Sequence, residues 1–164
     1  MNKAVQKTMF SSASGDWTTP QDFYDKLNWR FGEFNLDPCA TVFNAKCSDF
    51  FTEVEDGLTK DWKGHMVFVN PPYDNMRGWA EKCYKESLKP NTKVVLLCPA
   101  RTDTRYFADF IMKSSQIHFV KGRLKFGNSK NSAPFPSMVV VFDGNYDNAA
   151  NIQDHVPVIA TMSR

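Results

Sequence analysis

HMVFVNPPY, residues 65–73, is the stretch of sequence that decides how this chain folds. The apolar run Met66–Val69 is typical of a buried strand, because it is short and bounded by turn residues. Pro71 and Pro72 cannot continue a central strand, since proline lacks the N–H that the ladder requires. The chain is therefore predicted to leave the sheet at Asn70, at the carboxyl edge, where open α/β sheets bind their ligands.

The groups at this strand exit suit a planar amine. Asn70 supplies a side-chain amide, and the backbone supplies a carbonyl that is expected to have no partner in the sheet. Both oxygens can accept an N–H of the amine, and the ring of Tyr73 can stack on its plane. The sequence therefore predicts that this turn binds an exocyclic amino group.

Length and composition indicate one globular domain. The chain has 164 residues, of which 42% are hydrophobic and 23% charged, which is ordinary for a soluble protein with a substantial core. No apolar run approaches the ~18 residues that span a membrane, and the amino-terminal segment lacks the apolar part of a secretory signal. We therefore expect a cytoplasmic protein without a membrane partner. The cysteines form no C-x-x-C pair and no histidine lies at zinc-ligand spacing, so no metal site is predicted.

Strand-like and helix-like segments alternate along the chain, which predicts an α/β fold with a mainly parallel sheet. The last strands lie close together in sequence, so an antiparallel edge is expected. Predicted strands cover residues 34–37, 66–70, 93–98, 117–121, 124–126 and 137–142, and predicted helices cover residues 21–31, 79–88 and 103–112. We divide the chain into a flexible lead (1–15), one folded domain (16–143) and a weakly patterned, partly disordered tail (144–164).

Proline follows the end of three predicted strands, at Asp37-Pro38, Asn70-Pro71-Pro72 and Cys98-Pro99. Parallel strands share one carboxyl edge, and ligand sites of such sheets gather there. We therefore expect this edge to bring together Asp37, Asn70, Tyr73 and Arg101.

Charge is distributed unevenly along the chain, although the net charge is only +2. No acidic residue lies between Asp109 and Asp143, and this stretch carries Lys113, Lys121, Arg123, Lys125 and Lys130. Basic and apolar residues alternate from residue 121 to 126, so on a strand Lys121, Arg123 and Lys125 would share one face and follow a phosphate backbone. Lys130 would reach a groove from the next polar loop. The alternative is a solvated face that happens to carry no acidic residue.

Asn-Pro-Pro-Tyr at a strand end is the signature of enzymes that methylate amino groups with S-adenosylmethionine. The ordered set of segments around it resembles the phage-type DNA N-6-adenine methyltransferases, a compact Dam-like family. The matching segments are residues 17–20, 36–40, 44–47, 56–58 with Trp62, 69–73, 99–104, 122–127 and 133–137. This set is far more specific than the four-residue motif, which also occurs in enzymes that methylate glutamine or RNA.

The resemblance implies a Rossmann-like, S-adenosylmethionine-dependent methyltransferase fold. It implies transfer of a methyl group from that cofactor to N6 of an adenine flipped out of DNA, so DNA is the implied partner. We favour a monomer. Arg101 and Thr102 on the same rim either contact DNA or close the pocket. The implied catalytic residues are Asn70, Pro71, Pro72 and Tyr73.

The resemblance also implies residues that bind the cofactor. Thr18, Thr19 and Pro20 would hold its methionine end at a helix N-terminus, although Thr19 also suits the N-cap of a helix that does no more than begin there. Asp37 would accept from the α-ammonium or the ribose hydroxyls, and its alternative is a strand-end Asx turn. No glycine lies between residues 37 and 41, which departs from the usual methyltransferase pattern. Further cofactor contacts in this segment are Pro38, Ala40 and Asn44.

Two aspartates compete for a hydrogen bond to the amine of the cofactor's adenine. Asp49 precedes a phenylalanine, as in many adenine methyltransferases, whereas Asp56 lies in a segment that matches the compact family better. We favour Asp56.

Two other functions remain open at this point. The same motif is compatible with methylation of protein glutamine or of RNA, although the basic stretch favours a nucleic acid. A protein of a different class, a catalytically idle module that binds DNA or a host protein, is less consistent with the intact motif at residues 70–73.

Overall fold

The structure, a computed structural model, describes residues 17–144 and 155–164. Its helices are α1 (Gln21–Phe31), α2 (Met76–Ser87) and α3 (Arg105–Asp109), with short 3₁₀ turns at Gly57–Thr59, Tyr73–Asn75 and Ile111–Lys113. Its strands are β1 (Leu36–Asp37), β2 (Asp49–Phe50), β3 (Met66–Val69), β4 (Lys93–Pro99), β5 (Gln116–Lys121), β6 (Ser137–Asp143) and β7 (Val158–Ser163). The flexible lead predicted for residues 1–15 lies outside the described residues.

The strands form one seven-stranded sheet in the order β2-β1-β3-β4-β6-β5-β7. The neighbours β2 and β1, β1 and β3, β3 and β4, and β5 and β7 are parallel. β6 runs antiparallel to both β4 and β5. The carboxyl ends of β1, β3, β4, β5 and β7 therefore lie on one edge of the sheet, and the predicted α/β architecture is confirmed.

The antiparallel strand was expected at an edge, and this expectation is wrong. β6 lies between β4 and β5, while the edge strands β2 and β7 are parallel to their neighbours. The physical reason is the composition of β6, because Met138–Phe142 is a continuous apolar run that is buried throughout. Such a run needs cover on both faces, which a central position in the sheet provides.

Two further expectations about the carboxyl-terminal part need correction. Residues 124–126 are not a strand, because β5 ends at Lys121 and Gly122 takes a φ of +82°, in the left-handed region. Residues 158–163, which the pattern leaves in a weakly structured tail, form β7. The division into a lead, one domain and a tail otherwise stays a prediction.

Helices cover both faces of the sheet. In β4, Val95 and Leu97 pack on the side of α1, whereas Val94 and Leu96 pack on the side of α2. This alternation is the two-residue period of a strand that is buried on both faces. Within the described ranges, no helix is long and apolar enough to cross a membrane.

Pro20, not Thr19, takes the N-cap position of α1. The hydroxyl of Thr19 is thereby available to another partner, and Thr19 is nevertheless buried, with 3% of its surface exposed. Phe23 and Leu27 are buried and hold α1 on the sheet through one apolar face.

Candidate active site

A cavity of about 290 Å³ opens at the carboxyl edge, beside the ends of β1 and β3. Its lining includes all four predicted catalytic residues, Asn70, Pro71, Pro72 and Tyr73. It also includes most of the predicted cofactor residues, namely Thr18, Thr19, Asp37, Pro38, Ala40, Asn44 and Asp56. Pro20 and Asp49 lie outside this lining. The fold therefore brings together segments that are distant in the chain. Asn70 and Thr19, for example, are 51 residues apart.

The Asn70 side chain is held at both of its polar atoms. Its Nδ2 donates to the backbone carbonyl of Trp17 and to Thr19 Oγ1, each at 3.0 Å. Its Oδ1 accepts from the Tyr73 hydroxyl, also at 3.0 Å. A carbonyl oxygen has two lone pairs, so Oδ1 keeps the capacity to accept a second hydrogen bond.

Tyr73 lies in a group of rings that sequence reasoning missed. The aromatic cluster consists of Trp17, Tyr73, Phe126 and Phe135. The Tyr73 ring meets Phe135 edge-on, with centroids 5.4 Å apart, and Trp17 stacks on Phe135 at 5.8 Å. Burial raises the pKa of Tyr73 well above its usual range, so its hydroxyl stays protonated and donates to Asn70.

The only available signal for this cluster was the position of its rings in the sequence. Trp17, Phe126 and Phe135 all lie in segments that match the Dam-like family, but abundant phenylalanine argues for core packing in general. Phe126 and Phe135 are indeed buried. Their contacts with Trp17 join the loop between β5 and β6 to the segment before α1, and the contact of Phe135 with Tyr73 joins it to the strand exit.

Asp37 is a buried carboxylate in the wall of the cavity. Its oxygens accept from the backbone N–H groups of Cys39, at 3.4 Å, and of Lys46, at 3.1 Å. Burial raises the pKa of Asp37 from 3.8 to about 6, although these two hydrogen bonds oppose the increase. The Cys39 contact is the Asx turn that was the alternative for this residue, and the same carboxylate lines the cavity.

The two candidate aspartates, Asp49 and Asp56, lie in different environments. Asp56 lines the cavity in a left-handed conformation, with φ of +54°, and its carboxylate accepts from the Leu58 N–H at 3.2 Å. The next residue, Gly57, packs so closely that an added Cβ would lie 1.9 Å from the Pro38 carbonyl oxygen. Asp49 is exposed on the edge strand β2. The absence of a side chain at Gly57 therefore lets the segment that contains Asp56 pack directly against the residues that follow β1.

The predicted DNA-binding residues lie on the same edge of the sheet, outside the lining of the cavity. All of them are exposed: Arg101, Thr102, Lys121, Arg123, Lys125 and Lys130. Exposed basic residues and buried apolar residues still alternate here, although the segment is not a strand, because Leu124 and Phe126 are buried. Arg123 Nη1 donates to the Ala133 carbonyl at 3.3 Å, so part of its donor capacity is used within the protein.

Arg164 is a further basic residue of this edge that sequence reasoning missed. It follows β7, and its Nη1 donates to the Arg123 carbonyl at 3.2 Å. The order of the strands places their ends in the sequence Asp37, Asn70, Arg101, Lys121 and Arg164 along the rim. With ~4.8 Å between neighbouring strands, the four steps from β3 to β7 correspond to roughly 19 Å.

The fold is that of an α/β protein with an open cavity at the carboxyl edge of its sheet. The family model described as DNA N-6-adenine-methyltransferase (Dam) matches residues 6–156. The chain therefore belongs to the DNA N-6-adenine-methyltransferase (Dam) family, which confirms the predicted resemblance.

Curated relatives carry the same description. The DNA N-6-adenine-methyltransferase of Haemophilus phage HP1 (strain HP1c1) is 28% identical over 134 residues, which cover 77% of this chain and 78% of the relative. The DNA N-6-adenine-methyltransferase of Escherichia phage T1 is 28% identical over 109 residues, 66% of this chain and 45% of the relative. The putative methyltransferase YfdM of Escherichia coli (strain K12) is 35% identical over 63 residues, 35% of this chain and 69% of the relative.

The family confirms the predicted class of enzyme, a DNA adenine-N6 methyltransferase. Such an enzyme needs a methyl donor and acts on DNA.

Proposed function

We propose that this chain transfers a methyl group from S-adenosylmethionine to N6 of an adenine flipped out of DNA, on a Rossmann-like, mainly parallel methyltransferase sheet. The observation that carries the proposal is the fixed carboxamide of Asn70 beside an open cavity at the carboxyl edge. Ligands of open α/β sheets bind at this edge, and the cavity volume of about 290 Å³ is close to the lower limit of ~300 Å³ for small-molecule pockets.

The cofactor would occupy the part of the cavity between Asp37, Asp56 and the start of α1. Free N–H groups and the partial positive charge at the N-terminus of α1 favour a carboxylate, so the methionine end would lie near Thr18 and Thr19. Pro20 would act indirectly, by ending the segment that carries these threonines. Asp37 would accept from the α-ammonium or the ribose.

The adenine of the cofactor would lie against Asp56, which lines the cavity, and not against Asp49, which lies on the edge strand. Asn44 would support this part of the pocket by holding its loop, since its Oδ1 accepts from the Thr41 N–H at 2.7 Å. Pro38 and Ala40 would supply apolar wall between the two carboxylates.

The chemistry of transfer requires position and electrostatics rather than a strong base. The N6 lone pair of adenine is delocalised into its ring, so the amine is a poor nucleophile. Asn70 Oδ1 and the Pro71 carbonyl would accept its two N–H bonds, which favours a pyramidal nitrogen and stabilises the positive charge that develops on it. Pro72 would keep the turn stiff, and Tyr73 would stack on the base.

Methyl transfer would take place in a single displacement step. When bound, S-adenosylmethionine would supply an electrophilic methyl group: the N6 lone pair would form the new N–C bond as the S–C bond breaks and its electron pair returns to sulfur, which would neutralise the sulfonium. The methylated nitrogen then releases one proton to solvent. The reacting atoms must lie in line, roughly 3–3.5 Å apart, for positioning to lower the barrier.

DNA would lie along the basic part of the rim. Arg101 and Thr102 follow the strand next to the one that ends at Asn70, and Lys121, Arg123, Lys125 and Lys130 continue the row. Cations of this kind contact phosphates and hold the duplex in register without reading its sequence. We expect the protein to act as a monomer, in the cytoplasm of the cell that contains this DNA.

The decisive experiment is incubation with unmethylated DNA and S-adenosylmethionine labelled in its methyl group, followed by nucleoside analysis. The expected product is labelled N6-methyl-2′-deoxyadenosine. Label in protein or RNA instead of DNA would favour the rival methyltransferase functions. No label together with no calorimetric binding of the cofactor would favour an idle binding module.

A further inference from the structure

The orientation of the Asn70 carboxamide is specified from outside the motif that contains it. Both protons of Nδ2 point to the segment before α1, to the Trp17 carbonyl and to Thr19 Oγ1. Trp17 and Asn70 are separated by 53 residues, so this contact is a product of the fold and not of the local turn. Thr19 is 3% exposed, which keeps water from replacing its hydroxyl.

We propose that Thr19 is a positioning residue for methyl transfer, because its hydroxyl and the Trp17 carbonyl hold Asn70 with Oδ1, and not Nδ2, turned towards the substrate amine. The inference rests on the proposed function of Asn70. It adds a role for Thr19 that is separate from contact with the cofactor.

The physical reason is that a carboxamide is nearly symmetric in shape but opposite in polarity at its two ends. Turned by 180° it would present N–H donors to the N–H groups of the target amine, and the developing positive charge would meet another positive pole. A backbone carbonyl can only accept, so the Trp17 carbonyl selects the Nδ2 end. The Thr19 hydroxyl satisfies the second proton of Nδ2, which would otherwise be buried without a partner.

The first test compares Thr19→Val, which keeps the shape but removes the hydroxyl, with Thr19→Ser, which keeps the hydroxyl. We expect kcat at saturating cofactor and DNA to fall about tenfold for Thr19→Val, the effect of losing one buried hydrogen bond. Thr19→Ser should recover kcat to within about threefold of the natural protein, the spread expected for a lost methyl group at constant hydrogen bonding. Saturating cofactor separates the effect on kcat from any contact of Thr19 with S-adenosylmethionine, and thermal unfolding reports that both variants are folded.

The second test is Asn70→Asp, which keeps an oxygen for the amine but replaces Nδ2 by oxygen. That second oxygen would lie where Nδ2 now lies, 3.0 Å from the Trp17 carbonyl oxygen, with no proton between them. We expect little activity at pH 8 and a rise towards pH 6, as the introduced carboxyl gains the proton that it can donate to Trp17. Rates are divided by those of the natural protein at each pH, with cofactor saturating, so that titration elsewhere cancels.

Each negative result would rule out a different part of the proposal. If the natural protein does not methylate DNA, the proposed function fails and the role of Thr19 with it. If the natural protein is active but Thr19→Val keeps its kcat and loses only cofactor affinity, Thr19 is a cofactor contact and the positioning role is wrong. Full activity of Asn70→Asp at pH 8, or no rise on acidification, would equally overturn it.

Discussion

The two ends of the carboxyl rim have opposite designs. At the end formed by β1 and β3, polar groups are enclosed and paired: Asp37 is 6% exposed and accepts two backbone hydrogen bonds. At the end formed by β5 and β7, basic residues such as Lys121 and Lys125 are exposed to solvent. Enclosure gives fixed geometry and strong local electrostatics, whereas exposed cations give attraction that salt screens. The first design suits a small cofactor, the second a phosphate backbone, and Asn70 lies between them.

The comparison leads to predictions that separate the two ends by what each substitution changes. Substitutions at the enclosed end should act on the rate of transfer or on cofactor affinity. Substitutions at the exposed end should act on DNA affinity and on its salt dependence. A variant that moves both readouts together would show that the ends do not work separately.

The largest effect is expected for Asn70→Ala. Loss of the acceptor that stabilises charge on N6 should lower the rate of transfer by about 10²- to 10³-fold, as for other groups that stabilise a transition-state charge. Cofactor affinity, measured by calorimetry, should remain close to that of the natural protein. Methylation at a near-natural rate would remove Asn70 from the mechanism.

Tyr73 should show a smaller loss that depends on its ring. Tyr73→Ala should lower the rate of transfer by about 5- to 150-fold, which corresponds to one lost stacking interaction with the target base. Tyr73→Phe keeps the ring and removes only the hydroxyl that donates to Asn70, so its loss should be much smaller. Single-turnover rates over a range of DNA concentrations measure both variants, and equal losses would argue that the hydroxyl rather than the ring matters.

Asp37 should make cofactor binding depend on pH near 6. Because its pKa is about 6 in the free protein, cofactor affinity that uses the ionised carboxylate should fall by up to about tenfold per pH unit below that value. Calorimetry from pH 5 to 8 measures this, and Asp37→Asn should give a flat profile.

The stability of the free protein should depend on Asp37 with the opposite sign. The folded-state pKa is above the usual value of 3.8, so the contribution of Asp37 to the free energy of unfolding is complete below about pH 4 and is lost as the pH rises through about 6. Thermal unfolding of the natural protein and of Asp37→Asn without cofactor should therefore diverge between these limits. An unfolding difference that is constant with pH would contradict the assigned pKa.

The smallest effect is expected for a single charge at the exposed end. Lys125→Glu should weaken DNA binding and reduce the slope of log affinity against log salt by about one, the value for one phosphate contact. Lys125 is a cleaner choice than Arg123, whose guanidinium also bonds the Ala133 carbonyl. Lys63→Glu is the matched control, because Lys63 is exposed just before β3, at the opposite edge of the sheet. An identical salt slope for both variants would place DNA elsewhere.

The strand exit and the gathering of site residues could be predicted because both follow from local chemistry. Proline cannot donate to a sheet ladder, so the end of β3 is specified by residues 70–72 themselves. Parallel strands then bring Asp37 and Asn70 to one edge, and both line the cavity. Family resemblance supplied the identity of the reaction.

The errors concern contacts between segments that are distant in sequence. The order of strands places β6 inside the sheet, and local patterns carry no information about which neighbour a strand chooses. The preference for Asp56 over Asp49 rested on resemblance alone, because the contact of Gly57 with Pro38 joins residues almost twenty positions apart in the chain. Nothing in the spacing of residues indicates that the Thr19 hydroxyl meets Asn70.

The short segment before α1 makes hydrogen bonds to both ends of the carboxyl rim. The carbonyl of Trp17 accepts from Asn70, and the next carbonyl, that of Thr18, accepts from the Gly127 N–H at 2.8 Å, in the loop that follows the basic residues. A shortened protein that began at Pro20 would retain every helix and strand described above. It would nonetheless lack the two backbone carbonyls that bond Asn70 and Gly127, so we expect the position of the Asn70 side chain relative to this loop to become less fixed.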